Sequence, residues 1–426
     1  MSIVVLFGLM LLLIFIGVPI GITIGVATAV TMAFTSPMPL MVIAQKAYTG
    51  LDSFPLLGVP FFILAGSLMC NGGISKRLIN LAETLVGYIV GGLAMVTITA
   101  CMFFAAISGS GPATVSAIGS FMIPAMKERN YGGGFAAAVT ATAGTIGVII
   151  PPSIPFVIYC IVAQVSIGDM FLAGIIPGII IGLSLMGTCY IIARKRGYVS
   201  NPKRPTAKDV WVSFKEAGWA LMIPIIILGG IYAGVFTPTE AAVVSVVYAL
   251  FIGKFVYKEL NWQNFHRSMK ETALVNGSLM FMIGLSIAFA NYISLAQVPA
   301  RIAAALMGFS ESPFVLLLII NVFLLVIGCF IDNIAAVVIL TPLLLPIVSR
   351  IGIDPIHFGL IITFNLAIGF ITPPYGINLF VASTVSGESI EKISWEILPF
   401  IVAMIGCLFL FTYFPVFTTG ILGILR

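Results

Sequence analysis

The chain has 426 residues, 60% of them hydrophobic and 8% charged, with a mean hydropathy of +1.18. Soluble globular domains carry roughly 25% charged residues, so this composition excludes one and implies an all-α polytopic membrane protein. The net charge of +5 sits in loop clusters and bears on orientation rather than on nucleic acid. The six cysteines lie in apolar stretches without C-x-x-C spacing, which indicates neither a disulfide framework nor a metal site.

In chain order, residues 2–16 and 20–34 read as apolar helices broken at Gly17-Val18-Pro19. Met1 to Ile16 lacks a basic n-region and an A-x-A site, so it reads as a retained first helix. Residues 52–70 form the next span, and Ile74, Leu78, Leu81, Ala82 and Leu85 give a short amphipathic piece near an interface. Two apolar arms, 88–107 and 113–126, then flank Ser108-Gly109-Ser110-Gly111-Pro112. This pattern predicts a re-entrant helical hairpin over about 88–127. A helix at 134–162 is interrupted by Gly147 and Pro151-Pro152, because proline lacks the amide donor and clashes with the preceding turn. The span 171–193 opens near Pro177.

The second half repeats this order. Ile368-Gly369-Phe370-Ile371-Thr372-Pro373-Pro374 follows Ile146-Gly147-Val148-Ile149-Ile150-Pro151-Pro152 at an offset of 222 residues, and Pro124 and Pro177 fall on Pro346 and Pro399 at the same offset. The matching pieces are 215–235 and 239–256, broken at Thr237-Pro238, then 273–293 and 299–308. A hairpin over about 313–349, with the tip Cys329 to Asn333, precedes a broken helix at 356–384 and a last span at 397–422. Two repeats, 1–200 and 215–426, are thus joined by a cytoplasmic linker at 201–214. Five crossings per half make the second repeat inverted relative to the first. The basic loops Arg194-Lys195-Arg196 and Lys254 to Lys270 both fall on the cytoplasmic side if the N-terminus faces outward.

Interrupted apolar segments at matching positions of two halves point to a transporter's binding site. Each hairpin tip is expected to meet the helix break of its own half, where free carbonyls and half-helix ends favour a small cation, Na⁺ by choice of neutral oxygen ligands. The first candidate site is Ser108, Ser110, Gly111 and Thr114 with Gly144, Thr145 and Gly147. The second is Gly328, Asp332 and Asn333 with Gly369 and Thr372. An anionic substrate would lie between them, near Ser110, Pro151, Pro152, Asp332, Pro373 and Pro374, facing half-helix N-termini. An intramembrane acid is by default functional, yet Asp332 is equally suited to cap the returning arm; both roles are open. A proton relay through Asp332 in place of Na⁺ is a further alternative. Asn365, Asn378 and Gln164 can bond substrate or only their neighbours. Glu240, Asp52 and Asp169 read as helix caps, and His266 and His357 as interfacial. An intramembrane hydrolase would need Ser108 or Ser110 beside a base, for which only His357 lies in a span. No G-x-x-x-x-G-K-[ST] phosphate loop occurs.

Five segments carry a family resemblance: Gly58-Val59-Pro60-Phe61-Phe62, the stretch from Ser108 to Val115, Ile149-Ile150-Pro151-Pro152-Ser153, Phe236-Thr237-Pro238-Thr239-Glu240-Ala241 and Ile371-Thr372-Pro373-Pro374-Tyr375-Gly376. With them the chain resembles the large membrane subunit of the tripartite ATP-independent periplasmic (TRAP, DctM-like) transporters. The resemblance implies a Na⁺-coupled importer in a bacterial or archaeal inner membrane. It also implies a soluble periplasmic binding protein that delivers an organic anion, a C4-dicarboxylate or an acidic sugar such as sialic acid. A small four-helix membrane subunit is implied as a separate chain, since Met1 leads directly into the first helix. The wider ion-transporter superfamily implies an elevator motion, in which hairpins and broken helices move against a scaffold. A stand-alone carrier without partners is the competing reading.

Overall fold

A computed structural model describes residues 2–36, 38–198, 204–307, 312–374 and 376–425. Apart from short 3₁₀ and π segments, its regular structure is α-helical, and seven helices among the described residues are long and apolar enough to cross a membrane. The protein is a multi-pass membrane protein.

The first two helices, Ser2–Phe15 and Ile20–Thr35, part at the glycine–proline break, where Gly17 takes φ +86°. The next piece, Met41–Leu51, has no counterpart in the sequence reading. It carries Gln45, Lys46, Tyr48 and Thr49 among its apolar residues and buries none of its side chains fully. It lies along Trp262–Leu295, a 34-residue helix that extends well beyond the expected 273–293. Phe54–Asn71 also packs on this long helix and on Pro238–Phe251.

Other boundaries shift for identifiable reasons. The helix expected over 171–193, opening near Pro177, runs from Ile167 to Arg196 with Pro177 inside it, because Ser166 accepts the Asp169 amide as N-cap. The last long helix likewise begins at Ile390, capped by Ser389, with Pro399 inside it. Asp169 is therefore in the first turn rather than at the cap. Asp52 closes the helix Met41–Leu51 instead of opening one. The region assigned to a linker through 214 is already helical from Ala207, where Thr206 and Asp209 form a reciprocal capping box; residues 201–203 lie outside the described ones. Thr237 and Glu240 form a second capping box at Pro238–Phe251, as expected for Glu240. Each cap contributes about 1 kcal/mol.

Both hairpins are present. The first pairs Gly92–Ser108 with Gly111–Glu128; the second joins Pro313–Gly328 to Asn333–Arg350 through a short tip, and its two arms both pack on Pro355–Gly369 more than on each other. Both broken helices are present as well: Gly133–Gly144 running on through a 3₁₀ turn to Val148, then Ile154–Ala163; and Pro355–Gly369, then Ile377–Ser386. The peptide bonds Pro151-Pro152 and Pro373-Pro374 are cis. The leading segments pack on the hairpin of their own half, as expected. The trailing segments do not stop there. Ile377–Ser386 packs on Gly111–Glu128 and Gly133–Gly144, and Ile154–Ala163 packs on Asn333–Arg350 and Pro355–Gly369. Each broken helix therefore crosses into the other half, and the hairpins and breaks interlock as one packed unit.

Candidate functional site

At the first hairpin the chain turns within two residues. Gly109 takes φ +61°, a left-handed conformation that glycine adopts without penalty, and Ser110 is extended before the helix resumes at Gly111. The tip is locked to the first break, where the Ile154 amide donates to the Gly109 carbonyl (3.2 Å). Ser153 donates to the Val148 carbonyl (2.7 Å) and accepts the Phe156 amide (3.3 Å). Inside the tip, the Ser108 and Thr114 hydroxyls lie 2.9 Å apart and Thr114 donates to the Ser110 carbonyl (2.8 Å). A Cβ on Gly147 would lie 2.6 Å from Thr114 Oγ1 and 2.7 Å from the Ser110 carbonyl. Gly111 and Gly144 approach through the Gly111 carbonyl. Ser108, Ser110, Gly111, Thr114, Gly144 and Gly147 thus converge. Their donors are neutral hydroxyl and carbonyl oxygens, the chemistry a hard cation requires. The Thr145 hydroxyl turns away, donating to the Thr142 carbonyl (2.6 Å) beside Met404.

At the second hairpin Asp332 is the N-cap of Asn333–Arg350, accepting the Ile334 amide at 3.0 Å. Asn333 is fully buried and donates to the Thr363 carbonyl (3.2 Å). Gly328 and Gly369 are in backbone contact. The Thr372 hydroxyl folds back onto the Ile368 carbonyl (2.8 Å). The two breaks differ in exposure: Pro151 and Pro152 are buried beneath the hairpin-1 tip, whereas Pro373 and Pro374 are exposed. Tyr375 lies outside the described residues.

A cavity of about 350 Å³ opens against the first tip. Ser108, Ser110 and Ser116 line one wall; Ser67, Cys70 and Asn71 line another; Arg267, Glu271 and Thr272 close it. Arg267 Nε bonds Glu271 (2.8 Å), whose other carboxylate oxygen accepts from Ser67 (3.0 Å). A cation thus stands across a water-accessible space from a hairpin tip rich in hydroxyls. By sequence alone Arg267 is one charge of a basic loop.

Other polar residues sort differently. Asn365 donates to Asn321 Oδ1 (2.7 Å), and Asn321 donates to the Thr412 hydroxyl (3.0 Å). His357 is 1% exposed, not interfacial, and bonds the Thr418 hydroxyl (2.7 Å) and the Thr412 carbonyl (3.3 Å). This buried network joins the second hairpin, the second broken helix and the last helix. Asn321, alone among apolar neighbours in Pro313–Gly328, was its signal in the sequence. Gln164 is exposed and caps its own helix on the Ile161 carbonyl (2.6 Å). His266 is exposed beside Trp262.

Residues 7–417 match the family described as "Tripartite ATP-independent periplasmic transporter, DctM component". The chain belongs to that family. It is 49% identical over 411 residues to the isethionate TRAP transporter permease protein DctMQ of Oleidesulfovibrio alaskensis, covering 96% of this chain and 65% of that protein. It is 38% identical over 439 residues to the C4-dicarboxylate TRAP transporter large permease protein DctM of Rhodobacter capsulatus, covering both chains completely. The sialic acid TRAP transporter large permease protein SiaM of Vibrio cholerae is 40% identical over 406 residues, with 95% of each chain covered. Among solved structures, the Alcanivorax borkumensis YdaH transporter superposes with a TM-score of 0.62 at 16% identity over 90% of each chain, and Neisseria gonorrhoeae MtrF with 0.58 at 15% identity over 88% of this chain and 84% of that one. These two show a shared fold. The DctM-family relatives are named as permeases, which makes this chain a transporter component.

Proposed function

We propose that this DctM-family chain carries out Na⁺-coupled import of an organic acid anion across an inner membrane. The chemical class follows from the relatives' names, a C4-dicarboxylate, sialic acid or isethionate, each with an acid group. The observation that carries the reading is the first tip, where hydroxyl and carbonyl oxygens of Ser108, Ser110 and Thr114 close on Gly147 at the edge of a cavity faced by Arg267. Na⁺ held by these oxygens and by Gly328, Asn333, Gly369 and the carboxylate of Asp332 would order both tips. The anion would lie between them, against Ser110 and the exposed break at Pro373-Pro374, with Pro151-Pro152 buried beneath the hairpin-1 tip and supporting it from below. The interlocked hairpins and broken helices are the part that moves, and Phe54–Asn71, Pro238–Phe251 and Trp262–Leu295 belong to the scaffold. The movement is of elevator type.

Residues 1–200 and 215–426 are inverted repeats in this account, the N-terminus faces the periplasm, and hairpin 1 opens to the cytoplasm. A periplasmic binding protein delivers the anion, and a small membrane subunit completes the transporter. An electrical potential of 100 mV contributes about 2.3 kcal/mol for each charge moved. Uptake of radiolabelled succinate, isethionate or N-acetylneuraminate into proteoliposomes holding both membrane subunits tests the class. Accumulation of one of them that requires added binding protein is expected; accumulation of none, or of one without any partner, overturns this assignment.

A further inference from the structure

Asn378, in the trailing segment of the second broken helix, sits against the first site rather than the second. Its side chain is fully buried. Nδ2 donates to the Ala141 carbonyl (3.0 Å), in the leading segment of the first broken helix. A Cβ on Gly111 would lie 3.3 Å from Asn378 Oδ1, and one on Gly144 would lie 3.4 Å from Nδ2. The amide is therefore wedged between the hairpin-1 residue Gly111 and the helix end at Gly144, both members of the first cation site. Oδ1 has no hydrogen-bond partner among the described residues. A buried carbonyl oxygen left unpaired is costly, whereas a cation would satisfy it. The Phe370 ring lies against Gly111 on the same side and keeps the surroundings apolar.

The backbone of Asn378 adds a second link. Its amide donates to the Phe370 carbonyl at 3.0 Å and so closes the loop of the second break. One residue thus pins break 2 and touches site 1. At the 222-residue offset Asn378 falls on Phe156, which has no oxygen to offer the second site.

We propose that Asn378 Oδ1 is a ligand of the first cation site contributed from the opposite half of the chain, so that cation binding at site 1 fixes the closure of break 2. This rests on the Na⁺-coupled reading above and deepens it. Site 1 is then built by both halves and site 2 by one, which makes the two sites unequal in affinity. The loss of one of several oxygen ligands should weaken the site without abolishing the fold.

The test is Na⁺-dependent thermal stabilisation of the purified large and small subunit complex, titrated with NaCl against a KCl control at constant ionic strength. Asn378→Leu, which keeps the branched outline and removes the oxygen, should raise the Na⁺ concentration for half-maximal stabilisation at least ten-fold. Asn378→Asp, which keeps an oxygen at the same place, should stay within about three-fold of wild type. Should Asn378→Leu fail to fold, Asn378→Ser, whose shorter hydroxyl withdraws from Gly111, is expected to show the same weakening. A wild-type response to Na⁺ that Asn378→Leu or Asn378→Ser reproduces unchanged overturns this inference alone. A wild type that responds equally to Na⁺ and K⁺ overturns the coupling-ion reading and this inference with it.

Discussion

Gly369 and Gly328 meet backbone to backbone, so closely that a Cβ on Gly369 would collide with the Gly328 carbonyl group. The contact joins the end of the leading segment of broken helix 2 to the tip of hairpin 2. Since the obstacle is backbone and not a flexible side chain, Gly369→Ala must push the tip away. Overpacking of this kind costs about 1–3 kcal/mol. The expected outcome is a lower melting temperature of the detergent-purified complex and slower uptake, while a serine or alanine at the open position Gly187 leaves both unchanged.

Gly66 marks where the hairpin-1 tip rests on the helix Gly58–Asn71: a Cβ there would lie 3.3 Å from the Ser108 Cα and 3.4 Å from its carbonyl oxygen. If the tip slides past this helix, bulk at Gly66 obstructs the movement more than it disturbs the ion site. Gly66→Val should slow uptake by about ten-fold, which corresponds to roughly 1.4 kcal/mol on the barrier, with Na⁺-dependent thermal stabilisation retained. Equal loss of both would place the contact inside the ion site.

Arg267 faces the cavity with its guanidinium bonded to Glu271. An incoming carboxylate or sulfonate competes for that guanidinium, and a charge-assisted bond contributes about 1.5–3 kcal/mol. Arg267→Gln is therefore expected to raise the KM for the anion by about ten-fold or more, with Arg267→Lys intermediate because an ammonium cannot bond an acid group bidentately. Cys70, exposed on the same wall, reports occupancy: its alkylation by a maleimide should slow when anion and Na⁺ are both present.

Glu388 precedes the last long helix and bonds Lys392 (2.8 Å) and Lys127 (3.2 Å). The hydrogen bond from Lys392, then that from Lys127, holds its carboxyl below the usual range for glutamate. A depressed pKa means a stabilising contribution that is present above the ordinary value and disappears as pH falls through the folded one. Solvent limits it to at most about 1 kcal/mol. Melting curves of wild type and Glu388→Gln should differ slightly at neutral pH and converge below about pH 4.

The elements that define the site were legible because their causes are local. Pro151-Pro152 and Pro373-Pro374 cannot continue a helix wherever they stand, and Ser108-Gly109-Ser110-Gly111 must turn. Legibility ended where the cause was tertiary. Pro177 and Pro399 suggest helix openings, yet a buried bundle can absorb the lost amide bond, and Ser166 and Ser389 set the true starts. Met41–Leu51 has too mixed a pattern to announce itself and is held by Trp262–Leu295. The approach of Asn378 to Gly111 depends on broken helices exchanging halves, and no spacing within either half encodes it. Arg267 stands in a basic loop pattern by sequence, and only the fold carries its helix, Trp262–Leu295, to the cavity that the hairpin-1 tip also lines.

Coupling of anion accumulation to a Na⁺ gradient is tested most directly by uptake into proteoliposomes holding both membrane subunits, with binding protein outside. An inward Na⁺ gradient at equal pH should drive accumulation above equilibrium, and its collapse by a sodium ionophore should release the anion. Accumulation driven by an inward proton gradient, with indifference to Na⁺, would contradict the account.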